Sequence, residues 1–134
     1  MGMEHSPGFL ALVDEAKKRI KECSVADVKA RLDRGEPFAF VDVREDNEFA
    51  VLRARGARHI GRGVLERDVE TLIPDHGAPV VLYCGGGFRS ALAADNMQKM
   101  GYTNVLSMDG GMRAWREAEY PVESGDSDNQ AREP

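Results

Sequence analysis

The sequence runs to 134 residues, 42% of them hydrophobic, which suits one globular domain around one core and argues against a second. Its formal net charge of -5 argues against nonspecific attraction to nucleic acid, which is driven by phosphate neutralisation, and no apolar run approaches the roughly 20 residues that span a bilayer. Two cysteines, Cys23 and Cys84, cannot build the disulfide framework of a small secreted scaffold, and no N-terminal stretch resembles a signal peptide, so a reducing, cytoplasmic setting is expected. The opening MGMEHS has the Gly2 and Ser6 of a myristoylation pattern, which is too short to outweigh an ordinary start.

Phe9, Leu10, Val13, Ala16 and Ile20 recur at three- and four-residue spacings and predict an amphipathic helix from Pro7 to about Glu22, packing across the domain. After Cys23, Ser24 as cap, Asp27 three residues on and Gly35 as a left-handed stop predict a second helix. Pro37 to Val43 reads as a short buried strand whose polar exit, Arg44 to Phe49, starts a short helix. Ala57 to Ile60 is a weaker strand candidate. Gly63 to Pro74 predicts a helix closed by its proline, and Pro79 to Cys84 a second strongly buried strand. A helix from Arg89 to Met100, a strand from Asn104 to Met108 and a last short helix anchored by Trp115 follow. From Glu123 onward the chain is polar enough to stay disordered. The expected organisation is an N-terminal helix over residues 1–23, a domain over 24–122 and an acidic tail over 123–134. Strands alternating with helices imply an α/β fold, a parallel sheet with helices on both faces. Ligands of such sheets settle outside the carboxyl ends of the strands, where Cys84 falls.

A thiol is a nucleophile only as thiolate, and its pKa falls near a helix N-terminus or beside a guanidinium. Both are expected around Cys84. The helix starting near Arg89 points its unpaired amides and the positive end of its dipole back at the loop. Gly85, Gly86 and Gly87 can take positive φ at little cost, so that consecutive N–H groups converge on one anionic atom. The plain alternative is a small buried hydrophobe before a tight turn. The order strand, glycine loop, Arg89, helix favours the functional reading.

The stretch CGGGFRS resembles the active-site loop of single-domain rhodanese-like sulfurtransferases, with Cys84, Gly87 and Arg89 on its cysteine, glycine and arginine positions. The resemblance runs from about Ser24 to Val122. FVDVREDNEF is similar to the family's V-D-V-R-E followed by E-F, and GYTNVLSMDGGMRAW to its closing strand and helix, with Asp109, Gly110, Gly111 and Trp115 in register. It implies a rhodanese-like fold and a sulfurtransferase in which Cys84 takes the sulfane sulfur of a donor, thiosulfate or a persulfide. The sulfur is held as a Cys84 persulfide and yielded to a thiophilic acceptor, a thiol or cyanide. A protein persulfide fits the same scheme as donor or acceptor. Gly85, Gly86, Gly87 and Phe88 then supply amides to the persulfide, and Arg89 stabilises anions and orients the loop. Phe88 is either an apolar lip over the persulfide or a core-facing aromatic. No metal, organic cofactor, nucleic acid or membrane enters this scheme.

Two other readings stand beside it. One is a noncatalytic rhodanese-fold binding module, or a sulfur carrier for a protein partner. The other, more distant, is a cysteine phosphatase, a class whose loop places five residues between cysteine and arginine where this chain has four.

The stretch LRARGA, residues 52–57, keeps only Gly56 and Ala57 of the family's G-H-I-P-G-A. Arg53, Arg55, Arg58 and Arg62 form a basic patch expected on a solvated surface, and Arg62 is the candidate for attracting an anionic donor. Asp42 and Arg44 are expected to pair as scaffold, with Glu48 as a further partner of Arg44. His59 is expected to be structural rather than a base. Cys23 is a candidate resolving thiol for Cys84.

Overall fold

Strand and helix alternate through the computed structural model, which describes residues 5–125. In chain order the elements are α1 (Pro7–Lys17), β1 (Lys21–Cys23), α2 (Val25–Asp33), β2 (Ala39–Asp42), α3 (Asp46–Val51), β3 (Leu52–Ala54) and β4 (Arg58–His59). A short 3-10 turn at Arg62–Val64 leads into α4 (Leu65–Leu72), followed by β5 (Val80–Tyr83), α5 (Phe88–Lys99), β6 (Val105–Met108), α6 (Gly111–Glu117) and β7 (Val122–Ser124). Five strands form one parallel sheet in the order β1-β6-β5-β2-β4, the expected α/β architecture.

Every residue of the central strand β5 is buried, yet successive side chains point to opposite faces, so one tetrapeptide feeds two cores. Val80 and Leu82 pack with Leu65 and Val69 of α4 and Ala93, Ala94 and Met97 of α5. Val81 and Tyr83 pack on the other face with Val28 of α2 and Met112 and Trp115 of α6. Helices therefore cover both faces, and the β5–α5 and β6–α6 junctions lie side by side at the carboxyl edge of the sheet. None of the helices among the described residues is long and apolar enough to cross a membrane.

The first helix is shorter than its periodicity predicts. The Lys18 and Arg19 amides close its last turn on the Glu15 and Ala16 carbonyls, and Lys21–Cys23 pairs instead with β6, Lys21 opposite Leu106 and Cys23 opposite Met108. An edge strand with exposed Lys21 and Glu22 carries no apolar signal, but its backbone completes a ladder that β6 leaves open. Residues 21–23 are thus part of the main sheet rather than of an appended helix. The helix itself is fixed to α5: Arg19 donates to both oxygens of buried Asp95 at 2.9 and 2.8 Å, and Gln98 donates to the Arg19 carbonyl at 2.8 Å.

Two strands, β3 and β7, are absent from the sequence reading; they pair antiparallel, Leu52 opposite Ser124 and Ala54 opposite Val122. Glu123, where disorder was expected to begin, lies inside that pair. The remainder of the expected tail, residues 126–134, and the myristoylation pattern at residues 1–4 lie outside the described residues. Arg53 corrects the expected basic patch. It is 1% exposed, donates to the Phe49 carbonyl at 2.6 Å and the Ser124 carbonyl at 3.4 Å, and sits 4.5 Å over the Phe49 ring. It thereby ties the end of α3 to β7. The Ala54 amide donates to the buried Tyr83 hydroxyl at 3.0 Å, which joins this small sheet to the large one.

Because Arg53 anchors two elements from inside, Arg53→Met should keep the buried stem but lose the charged hydrogen bonds. Urea unfolding should show a loss of about 2–3 kcal/mol; a change no larger than that of a surface substitution would show that the guanidinium contributes packing alone.

Candidate active site

Cys84 follows directly on β5, and the loop after it is gripped by the first turn of α6. The Met112 amide donates to the Cys84 carbonyl at 2.8 Å and the Arg113 amide to the Gly85 carbonyl at 3.0 Å. These are N–H groups that a helix N-terminus leaves without an internal partner. The approach is close enough to require Gly111: with φ at +52, a Cβ there would lie 2.3 Å from the Cys84 carbonyl oxygen.

Farther along the loop two amides are directed at the sulfur. Gly87, at φ +104, starts α5 in a left-handed conformation and donates its N–H to Cys84 Sγ at 3.1 Å; the Ser90 N–H follows at 3.4 Å. The Ser90 hydroxyl lies 3.6 Å from Sγ and 2.8 Å from the Ser107 hydroxyl of β6, and both serines are fully buried. When the sulfur is an anion, Ser90 can donate to it while Ser107 donates to Ser90. The positive end of the α5 dipole adds to the same field.

Beside the loop, Arg89 donates to the two carboxylate oxygens of Glu48 at 2.9 and 3.4 Å. Hydrogen bonding from Arg89 holds the Glu48 carboxyl below its ordinary range, and that same hydrogen bond raises the Arg89 guanidinium further. Glu48 also accepts the Glu45 amide at 2.9 Å, so the capping of α3 fixes its direction. Above the loop is a cavity of about 690 Å³. Its floor is Cys84, Gly85 and Gly86, its polar wall Glu48, Arg89 and Arg113, and its aromatic wall His5, Phe9 and Phe88. Cys84 is only 1% exposed, but what exposure it has faces this space.

Residues 24–118 match the rhodanese-like domain family. The chain belongs to that family. It is 33% identical over 100 residues to the thiosulfate sulfurtransferase GlpE of Pseudomonas aeruginosa, an alignment covering 75% of this chain and 88% of that one. A Rhodopseudomonas palustris structure described as a protein of unknown function, "Possible Tyrosine Phosphatase", superposes with a TM-score of 0.79 at 33% identity, covering 92% of this chain and 99% of the other. The polysulfide-sulfur transferase homodimer of Wolinella succinogenes gives a TM-score of 0.73 at 28% identity over 87% of each chain. Coverage is uneven elsewhere: the chain spans 57% of a Bacillus subtilis relative to which it is 32% identical.

In this rhodanese-like domain the residues singled out in CGGGFRS gather at one place. Cys84, Gly85, Gly86, Phe88 and Arg89 line the cavity, and Gly87 lies behind it with its amide on the sulfur. Phe88 is a lip rather than a core residue, its ring 4.6 Å from that of His5 and 6.1 Å from that of Phe9. Arg62 stands apart. It pairs with Glu66 at 2.8 Å and lines a separate depression with Glu45 and Asp46, whose carboxylates disfavour an anion, so its expected role in drawing a donor lacks the geometry. Glu48 pairs with Arg89 rather than with Arg44, which is held by Asp42 at 2.8 Å. His59 stacks on Phe49 with its Nε2 2.8 Å from the Arg44 carbonyl oxygen, a structural placement.

Cys23 does not serve Cys84. It packs into the core on the opposite face of the sheet, and burial pushes its thiol up to about 11. It also lies two strands away, about 9–10 Å at ordinary strand spacing, beyond the reach of a disulfide without backbone movement.

Ser90, Ser107, Arg113, His5 and Phe9 were not singled out from sequence as parts of the site. Ser90 belongs to CGGGFRS and Arg113 to GGMRAW, but only the topology brings Ser90 to the sulfur and Arg113 to the cavity.

The Glu48 carboxyl is held low, so the Arg89 pair stabilises the fold above the ordinary carboxylate range and is lost as pH falls through the depressed folded value. In urea unfolding followed from about pH 6 to pH 3, Glu48→Gln should flatten part of the acid decline. An acid limb identical to wild type would mean that the pair contributes nothing to folding.

Proposed function

We propose that this chain is a sulfurtransferase that carries sulfane sulfur on Cys84. The Cys84 thiolate attacks the outer sulfur of thiosulfate or of a persulfide. The donor S–S bond breaks, its electron pair leaves on sulfite or on a thiolate, and the transferred sulfur stays as a Cys84 persulfide. A thiol or cyanide then attacks that terminal sulfur, and the electron pair returns to Cys84. Splitting the transfer in two is the usual gain of a covalent intermediate.

The observation that carries this reading is the pair of N–H groups, from Gly87 and Ser90, directed at Sγ on the floor of an open cavity. Preorganised donors stabilise an anionic sulfur without reorganising during the reaction. Gly85 and Gly86 line the same cavity as Cys84, the space into which the second sulfur of a persulfide would extend. Glu48 holds the Arg89 guanidinium in place beside the loop, where Arg89 lines the cavity together with Cys84.

The description of the Rhodopseudomonas relative favours a second reading, phosphate-ester hydrolysis. Against it, the ring from Cys84 to Arg89 has four intervening residues, and two of the surrounding amides are already spent on the sulfur itself. That leaves less lining for a tetrahedral oxyanion than for one added atom. A binding module without catalysis would have no use for a sulfur so placed.

Intact mass after incubation with thiosulfate should rise by about 32 Da, one sulfur, with the adduct lost to cyanide and absent in Cys84→Ser. No adduct with thiosulfate or any organic persulfide would favour the binding module. Hydrolysis of an aryl phosphate, abolished in Cys84→Ser, would favour the phosphatase.

A further inference from the structure

The cavity over Cys84 exceeds what a small inorganic donor needs. Its volume of about 690 Å³ is that of roughly twenty waters at about 30 Å³ each, several times that of an anion built of a few sulfur and oxygen atoms. Its walls also differ in chemistry. Phe9 and Phe88 form an apolar side, with the His5 ring 5.2 and 4.6 Å from theirs. That side is held in place, since α1 is anchored by the Arg19–Asp95 pair and by buried Val13 and Ala16.

The cationic side holds two unequal arginines. The charge of Arg89 is matched by Glu48. Arg113 is exposed, and no carboxylate among the described residues pairs with it. Its backbone N–H is fixed to the Gly85 carbonyl, so its side chain starts from a rigid point beside the loop. An inorganic donor leaves the aromatic wall unused. A donor with a carbon chain and one negative end would use both walls and the sulfur together.

We propose that the site accepts small organic persulfides bearing a carboxylate. Arg113 binds the carboxylate, Phe9 and Phe88 flank the carbon chain, and the terminal sulfur reaches Cys84. This rests on the sulfur-transfer reading above. In the step itself the Cys84 thiolate attacks the terminal sulfur of R–S–SH. The S–S bond of the donor breaks and a new one forms on Cys84. The electron pair leaves on the R–S sulfur, which takes up the persulfide proton, so that R–SH departs and an anionic Cys84 persulfide remains. No oxidant or reductant is consumed.

The test compares 3-mercaptopropionate persulfide, its methyl ester and thiosulfate as donors, following sulfur addition at Cys84 by quenched intact-mass measurement. Wild type should load from the acid about tenfold faster than from the ester, the scale of a charged hydrogen bond. Arg113→Ala should bring the two rates together, and Arg113→Lys should restore part of the difference. Equal rates for acid and ester in wild type, or a preference that survives in Arg113→Ala, would overturn the proposal. Loading from thiosulfate but from neither organic persulfide would overturn it while leaving sulfur transfer intact. Loading from none of the three would remove the sulfur-transfer reading as well.

Discussion

Two hydrogen bonds from the start of α6, to the carbonyls of Cys84 and Gly85, decide which way the sulfur loop faces. A peptide unit that turns its carbonyl one way presents its N–H the other. Pinning those carbonyls against α6 therefore turns the Gly85 and Gly86 N–H groups away from α6 and fixes the start of the loop whose later amides, those of Gly87 and Ser90, donate to Sγ. The clamp exists because β5 and β6 are parallel neighbours, so the chain leaves both strands at the same edge of the sheet. It is close enough to act because residue 111 has no Cβ to strike the Cys84 carbonyl. The same adjacency puts Ser107 of β6 behind Ser90, completing the hydroxyl pair under the sulfur.

Charge is arranged around this backbone cradle rather than in place of it. Arg89 and Glu48 are both part-exposed, and ion pairs of that kind contribute modestly to stability. The pair matters as geometry, since it holds a guanidinium at the rim of the cavity. Glu48 is delivered by α3, whose end is fixed by buried Arg53 and whose start is capped by Glu48 itself. A residue that looked like one of several surface arginines thus supports the site through two intervening contacts.

Local pattern showed the elements whose signal is local. The run Pro79 to Cys84 and the capped helix after Ser24 are legible because burial and capping need only neighbours in sequence. The family resemblance of CGGGFRS agrees with the family match, and the loop it marks lies at a strand end and lines a cavity. What stayed hidden depends on residues distant in sequence. The strand Lys21–Cys23 exists only as a partner of β6, and the strands Leu52–Ala54 and Val122–Ser124 only as partners of each other. Arg53 is charged and its burial follows from carbonyls and an aromatic ring, which no hydrophobic period reveals. Glu48 was matched to Arg44 by proximity in the chain, while the fold carries it to Arg89, 41 residues away.

The N-terminal helix illustrates how a site acquires character beyond its motif. Its docking on α5 brings Phe9 and His5 over the loop and gives the cavity an apolar wall. The clamp that orients the loop can be loosened at residue 111, where a Cβ would strike the Cys84 carbonyl. With Cys23 replaced by serine, the alkylation rate of Cys84 by iodoacetamide at neutral pH is compared between Gly111 and Gly111→Ala, circular dichroism confirming that both are folded. Alkylation should fall about tenfold in Gly111→Ala as the Gly87 and Ser90 donors are displaced from the sulfur; an unchanged rate in a folded variant would mean that the clamp does not orient the loop.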